Sequence, residues 1–149
     1  MTSQAKNARL AISTGLMLVL AACNGTGENG LPGDAEDDQP FSGIGEEEII
    51  HLSGAEPFWS GEIASGLLTY STPADSDGQR IAIERFAGRG GLSFSAEVDG
   101  EALDLMITPA PCSDGMSERN YPFTVTMEWG EIQRNGCGWT NVQPYEGGE

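Results

Sequence analysis

Alternation of apolar and polar residues in the second half of the chain restricts the fold more than any other feature. Apolar residues occupy every second position in residues 92–98, and again in residues 103–107 and 121–129. Side chains two positions apart lie on the same face of a β-strand, so each segment can bury one face and expose the other. The Asp99-Gly100 pair between the first two segments is typical of a two-residue β-hairpin turn.

The rest of the chain up to residue 141 extends this pattern. Short strand-like segments occur at residues 49–53, 66–72 and 79–86, and turns rich in glycine, proline and aspartate separate them. No segment has a convincing helical period. Residues 49–141 are therefore predicted to form an all-β domain, a small antiparallel β-barrel or sandwich, and residues 142–149 a flexible tail.

The N-terminal residues have the pattern of an export signal. In residues 1–22, Lys6 and Arg9 precede an apolar run that is too short to span a bilayer, and small residues follow before Cys23. The ending Leu-Ala-Ala-Cys23 is similar to a bacterial lipobox, which implies that Cys23 carries the lipid anchor; the alternative is an ordinary secretory signal near a cysteine. Asn24, where an inner-membrane protein would have aspartate, favours the outer membrane, facing the periplasm. The lipid would make the membrane a partner.

Residues 23–48 are predicted to be a lipid-anchored, disordered acidic linker. Glycine, proline, aspartate and glutamate dominate this segment, and large apolar residues are scarce. Such a composition buries too little apolar surface to offset the entropy lost on ordering.

The three cysteines predict one disulfide bond. If Cys23 carries lipid, Cys112 and Cys137 remain as a pair in an oxidising compartment. A metal-binding or reactive pair is the alternative, but the chain has no Cys-x-x-Cys motif and its single histidine is His51. No metal and no cofactor are expected.

Charge limits the partners. The formal net charge is −16, which opposes binding to nucleic acid and to anionic lipid surfaces. Cationic partners are permitted, although acidity also serves solubility alone.

The most promising candidate site is the Cys112 loop, residues 112–122, which supplies Asp114, Ser117, Arg119 and Tyr121. These residues predict either a protruding binding loop or side chains that satisfy the loop's own backbone. Carboxylate or serine residues of the same loop raise the alternative of an envelope hydrolase, although no nucleophile-elbow motif is present. The turn at residues 54–59 adds Glu56 and Trp59, for which binding and core packing are both open.

Three segments carry a resemblance to known proteins. Gly54-Ala-Glu-Pro-Phe-Trp59, residues 112–122 and Gly136-Cys137 together resemble a family of proteobacterial envelope lipoproteins that has no assigned activity. That family is loosely associated with lysozyme-inhibitor-like and META/HslJ-like lipoproteins; Ala55 departs from the threonine expected in the motif. Ser65-Gly66 and Tyr70 lie close together, as in lysozyme-inhibitor loops, and make Tyr70 a candidate binding residue, but the inhibitory pattern itself is not matched.

Together these observations predict a lipid-anchored lipoprotein of the cell envelope that acts as a non-catalytic binding module. A protein partner in the envelope is expected, and lysozyme is the candidate that can be tested most directly.

Overall fold

The computed structural model describes residues 38–148 and shows an all-β protein. All strand pairs are antiparallel, and no helix occurs in the described range. The predicted all-β antiparallel fold with one disulfide bond is confirmed, in the form of one sheet curled into a half-barrel. The nine strands are β1 (Ile50–Ala55), β2 (Phe58–Ala64), β3 (Leu67–Thr72), β4 (Asp75–Ala82), β5 (Glu84–Ala87), β6 (Leu92–Val98), β7 (Glu101–Cys112), β8 (Tyr121–Trp129) and β9 (Ile132–Thr140).

Two hairpin turns follow from local chemistry. At Asp99-Gly100 both residues have positive φ, 54° and 85°, as a type I′ turn requires. The predicted hairpin between β6 and β7 is therefore confirmed. Ser65-Gly66 makes the equivalent turn between β2 and β3, with φ of 51° and 74°.

The sheet order is β4-β3-β2-β1-β9-β8-β7-β6-β5, so the first and last strands are neighbours at its centre. The two edge strands, β4 and β5, follow one another along the chain and are separated only by Ile83. The concave side of the curl holds the core, to which the alternating residues of the strands contribute. The fully buried large side chains include Leu52, Leu68, Leu103, Leu105, Ile107, Val125 and Met127.

The last part of the predicted linker belongs to the folded unit. Ile44 is 1% exposed, and Phe41 packs against the core. The Phe41 amide donates to the Gly88 carbonyl at 2.7 Å, and Arg85 donates to the Ile44 carbonyl at 2.8 Å. The folded unit therefore begins several residues before the predicted linker boundary at residue 48. Phe41 and Ile44 are isolated apolar residues in a polar segment, and they pack in the core although the composition of the segment predicts disorder.

The predicted flexible tail is also attached to the domain over most of its length. Glu146 and Asn120 exchange two backbone hydrogen bonds, and the Thr140 hydroxyl accepts hydrogen bonds from the amides of Val142 and Gln143. Thr140 is fully buried and donates to a Glu48 carboxylate oxygen at 2.6 Å. The tail therefore contributes contacts that its short, polar sequence did not indicate.

The predicted export signal, Cys23 and most of the predicted linker lie outside the described residues. Within residues 38–148, no helix is long and apolar enough to cross a membrane.

Candidate functional site

A groove of about 750 Å³ lies on the face of the sheet that is turned away from the core. One wall is formed by the end of β1, the turn at Glu56-Pro57 and the start of β2, and the peptide bond between Glu56 and Pro57 is cis. The opposite wall is the first part of the Cys112 loop. We call this depression the turn–loop groove.

The floor of the turn–loop groove is polar. Thr124 and Thr126 of β8 lie between the buried residues of that strand and face away from the core. Asn135 of β9 is paired with Thr126, and Gln133 lies two positions further along the same face. Side-chain hydroxyl and amide groups thus line the floor. The Gln133 amide donates to the Asn135 side-chain oxygen at 3.4 Å, and the remaining donors and acceptors of these groups can bind a ligand.

The disulfide bond joins the floor to the loop wall. Cys112 at the end of β7 is bonded to Cys137 on β9, with their Cα atoms 5.5 Å apart, and both residues line the groove. The predicted pairing of Cys112 with Cys137 is confirmed. It holds the start of the Cys112 loop against the strand that forms the centre of the sheet.

Asp114 organises the rest of the Cys112 loop. Its carboxylate accepts hydrogen bonds from the backbone amides of Ser117 and Met116, at 2.8 and 3.0 Å, and from the Ser117 hydroxyl at 2.8 Å. The Tyr121 hydroxyl donates to the same carboxylate at 3.1 Å. Four donors therefore hold the loop around Asp114, which corresponds to one of the two alternatives left open by the sequence, namely side chains that satisfy the loop's own backbone.

These hydrogen bonds also decide what Asp114 can do chemically. The amide of Ser117 above all, then the amide of Met116 and the Ser117 hydroxyl, hold the pKa of Asp114 well below its ordinary value. A carboxylate that stays ionised and is already hydrogen-bonded on both oxygens is a poor general base or acid near neutral pH. The Ser117 hydroxyl donates to this carboxylate and not to a histidine, so the arrangement does not favour the hydrolase alternative.

Replacing Asp114 with asparagine is expected to destabilise the loop. The variant should lack a contribution to the free energy of unfolding that the wild type has near neutral pH and loses at low pH. Because the pKa of Asp114 is lower in the folded than in the unfolded chain, its contribution is fully present above the ordinary value of 3.8. That contribution is lost as the pH falls below 3.8 toward the folded-state pKa. The urea midpoint of the wild type should exceed that of Asp114→Asn above about pH 5, and the difference should close below 3.8.

The control for this comparison is Glu118→Gln, which removes an exposed acid from the same loop. Its urea midpoint should follow that of the wild type across the pH range. A difference between wild type and Asp114→Asn that does not change with pH would contradict the role of the ionised carboxylate.

An aromatic cluster supports the other side of the Cys112 loop. Tyr121, Trp139 and Tyr145 are in mutual contact, with ring centroids 5.4 to 5.6 Å apart. Arg119 lies 4.5 Å above the Tyr145 ring, and its hydrogen bond with Tyr121 is the main cause that raises the pKa of Arg119. His51 stacks on Trp139 at 5.3 Å. Trp139 and Tyr145 were not predicted to have a role, because they lie far from the loop in sequence.

The structure separates the predicted site residues into three places. Asp114, Ser117, Arg119 and Tyr121 form the hydrogen-bonded and aromatic contacts of the Cys112 loop. Glu56 lies on the opposite wall of the turn–loop groove. Trp59 and Tyr70 are 4% and 8% exposed and stack on one another in the core, with centroids 6.0 Å apart. These two side chains support the sheet and are not exposed for binding.

Four groove residues were missed as binding candidates. Phe58 is 54% exposed and Met116 is 64% exposed, and they lie on opposite walls. Gln133 and Asn135 supply the amides of the floor. The alternation in β2 could have found Phe58, because only one of the adjacent residues Phe58 and Trp59 can face the core.

No cluster of three or more potential metal ligands occurs among residues 38–148. His51 is 3.6 Å from Glu62 and is otherwise in contact with Trp139.

No protein-family model, curated protein or solved structure matches this chain.

Proposed function

We propose that this chain is a lipid-anchored, non-catalytic binding module of the cell envelope that recognises a protein partner in its turn–loop groove. In this proposal Cys23 carries the lipid and the domain faces the periplasm from the outer membrane. The observation that carries it is the pair of exposed apolar side chains, Phe58 and Met116, held on opposite walls of one groove.

The groove has the composition of a recognition surface. Aromatic and methionine side chains are enriched where proteins bind each other, and a polar floor supplies hydrogen bonds that orient the partner. Phe58 begins β2 and is anchored by the buried Trp59 beside it.

Preorganisation supports the same proposal. The loop wall is fixed by the disulfide bond and by the four hydrogen bonds to Asp114, while the turn wall continues directly into two paired strands. A site that is already ordered loses little conformational entropy when a partner binds, so more of the contact free energy contributes to affinity.

The lipid anchor predicts the location of the exported protein. In the wild type the protein should fractionate with membranes, and Cys23→Ser should release it into the soluble periplasmic fraction, because a secreted domain without acyl chains has no anchor. Immunoblotting of the fractions measures this. Soluble wild-type protein, or membrane-bound Cys23→Ser protein after signal removal, would contradict the lipid anchor.

Muramidases are the partner class to test first, since lysozyme inhibition is the most concrete function consistent with the compartment and architecture. The exported protein should slow the lysis of bacterial cell walls by at least one muramidase type, with half-inhibition at or below about 1 µM, a binding free energy of about −8 kcal/mol. Phe58→Ala should weaken inhibition about tenfold, because a central aromatic side chain is a common source of binding free energy.

The matched control is Phe86→Ala. Phe86 is 68% exposed on β5, at the edge of the sheet, and does not line the groove. Its removal should leave inhibition unchanged. If several muramidase types are unaffected by the wild-type protein, lysozyme inhibition is excluded as the function.

A further inference from the structure

The charged groups of the turn–loop groove are all of one sign. Among the described residues that line it, only Glu56 and Asp114 are charged, and none is arginine, lysine or histidine. Arg119 is the only basic residue of the Cys112 loop, and it is held over the Tyr145 ring and does not line the groove. The groove therefore presents negative charge to any ligand that enters it.

The two carboxylates differ in what they can offer. Both oxygens of Asp114 already accept hydrogen bonds from the loop, so Asp114 contributes charge but has little capacity for new bonds. Glu56 is exposed at the tip of the β1–β2 turn, and no hydrogen bond or ion pair occupies its side chain within the described residues. Glu56 is thus the carboxylate that can bind a new cation.

Apolar surface lies close to these charges. Phe58 is two residues from Glu56, and Met116 is two residues from Asp114, so each wall carries one acid and one large exposed apolar side chain. Arginine and lysine have the complementary character, because an apolar stem precedes the charged group. A cation can also lie against the face of an aromatic ring such as Phe58.

We propose that the turn–loop groove is selective for a basic side chain of the protein partner, an arginine or lysine whose stem packs on Phe58 and Met116 and whose charge faces Glu56. This inference rests on the proposed function only in treating the partner as a protein. The floor amides of Gln133 and Asn135 then bind the partner's neighbouring backbone groups.

The methionines allow a direct test with the exported, lipid-anchored protein in detergent micelles. Of the five methionines, Met1 and Met17 precede Cys23, so three remain in the mature chain. Met116 lines the groove, Met106 is 49% exposed on β7 outside it, and Met127 is fully buried. Labelling the methionine methyl groups with ¹³C thus gives one probe in the groove and two internal controls.

The ligand probes are two blocked tripeptides, acetyl-Ala-Arg-Ala-amide and its citrulline analogue, which has nearly the same shape but no charge. Titration with the arginine peptide should shift the Met116 methyl signal and leave those of Met106 and Met127 in place. The citrulline peptide should bind at least about fivefold more weakly, since its interaction lacks the ionic component.

Variants identify the residues responsible. Glu56→Gln should weaken binding of the arginine peptide about two- to fivefold, the range for an exposed ion pair, and should reduce its salt dependence. Glu84→Gln removes an exposed acid in a different depression, between β4 and β6, and should have no effect. Equal shifts at Met106 and Met116, or equal binding of both peptides, would overturn the inference.

The outcomes separate this inference from the proposed function. Arginine-specific binding at Met116 without muramidase inhibition would support the inference and exclude lysozyme as the partner. Muramidase inhibition that is insensitive to Glu56→Gln and to Phe58→Ala would overturn the inference and leave a binding function at another surface.

Discussion

Replacing both Cys112 and Cys137 with alanine is expected to lower the free energy of unfolding by about 3.5 kcal/mol. The bond closes a segment with a sequence separation of 25, and its loss returns that much conformational freedom to the unfolded chain. Urea unfolding of the oxidised wild type and the double variant measures the difference.

Loss of the disulfide bond should also change the turn–loop groove. Cys112 begins the loop wall, and β7 has an irregular register against β8 between Pro109 and Cys112, so few backbone pairs replace the missing bond. Met116→Ala is the control, because this exposed side chain of the same loop should alter stability by less than about 0.5 kcal/mol. A double cysteine variant as stable as Met116→Ala would show that the bond does not stabilise the fold.

Gly136→Ala is expected to destabilise the domain by about 3 kcal/mol, because a methyl group has no room at this position. The added Cβ would lie 2.9 Å from Cζ2 of Trp59 and 3.0 Å from the carbonyl carbon of Ser53. The Ser53 backbone belongs to β1 and is paired with β9, so it cannot move away without breaking the central pair of the sheet. Trp59 is buried and equally constrained.

The matched control is Gly88→Ala. The nearest atom to a Cβ at Gly88, the Gly91 carbonyl oxygen, is at an ordinary contact distance of 3.7 Å. Thermal or urea unfolding should show a change of less than about 1 kcal/mol for this variant. If Gly136→Ala is as well tolerated as Gly88→Ala, the close approach of β1, β9 and Trp59 is not a constraint on the fold.

The features that were predictable from the sequence depend on short-range chemistry. The alternation in β6, β7 and β8 is a property of neighbouring residues, and Asp99-Gly100 has the backbone preferences that its turn needs. The pairing of Cys112 with Cys137 followed from counting, once Cys23 was assigned to a lipid.

The features that were not predictable depend on which distant segments meet. Ile44 and Tyr145 lie in polar segments, and only the folded sheet provides the surfaces that they cover. The turn–loop groove itself is formed by residues around positions 56, 114 and 135, which no local pattern connects.

The position of β9 has a consequence for the order in which the domain can be completed. Strands β1–β4 and β5–β8 can each pair as successive hairpins, but backbone pairing joins the two sets only through β9, which lies between β1 and β8. Elsewhere the sets are linked covalently by Ile83 alone. A chain emerging from a ribosome therefore cannot close its core until residue 140 has appeared. The residues of β1 and β9 that pair with each other are separated by nearly the whole sequence of the domain, and contacts between residues so far apart in sequence form slowly.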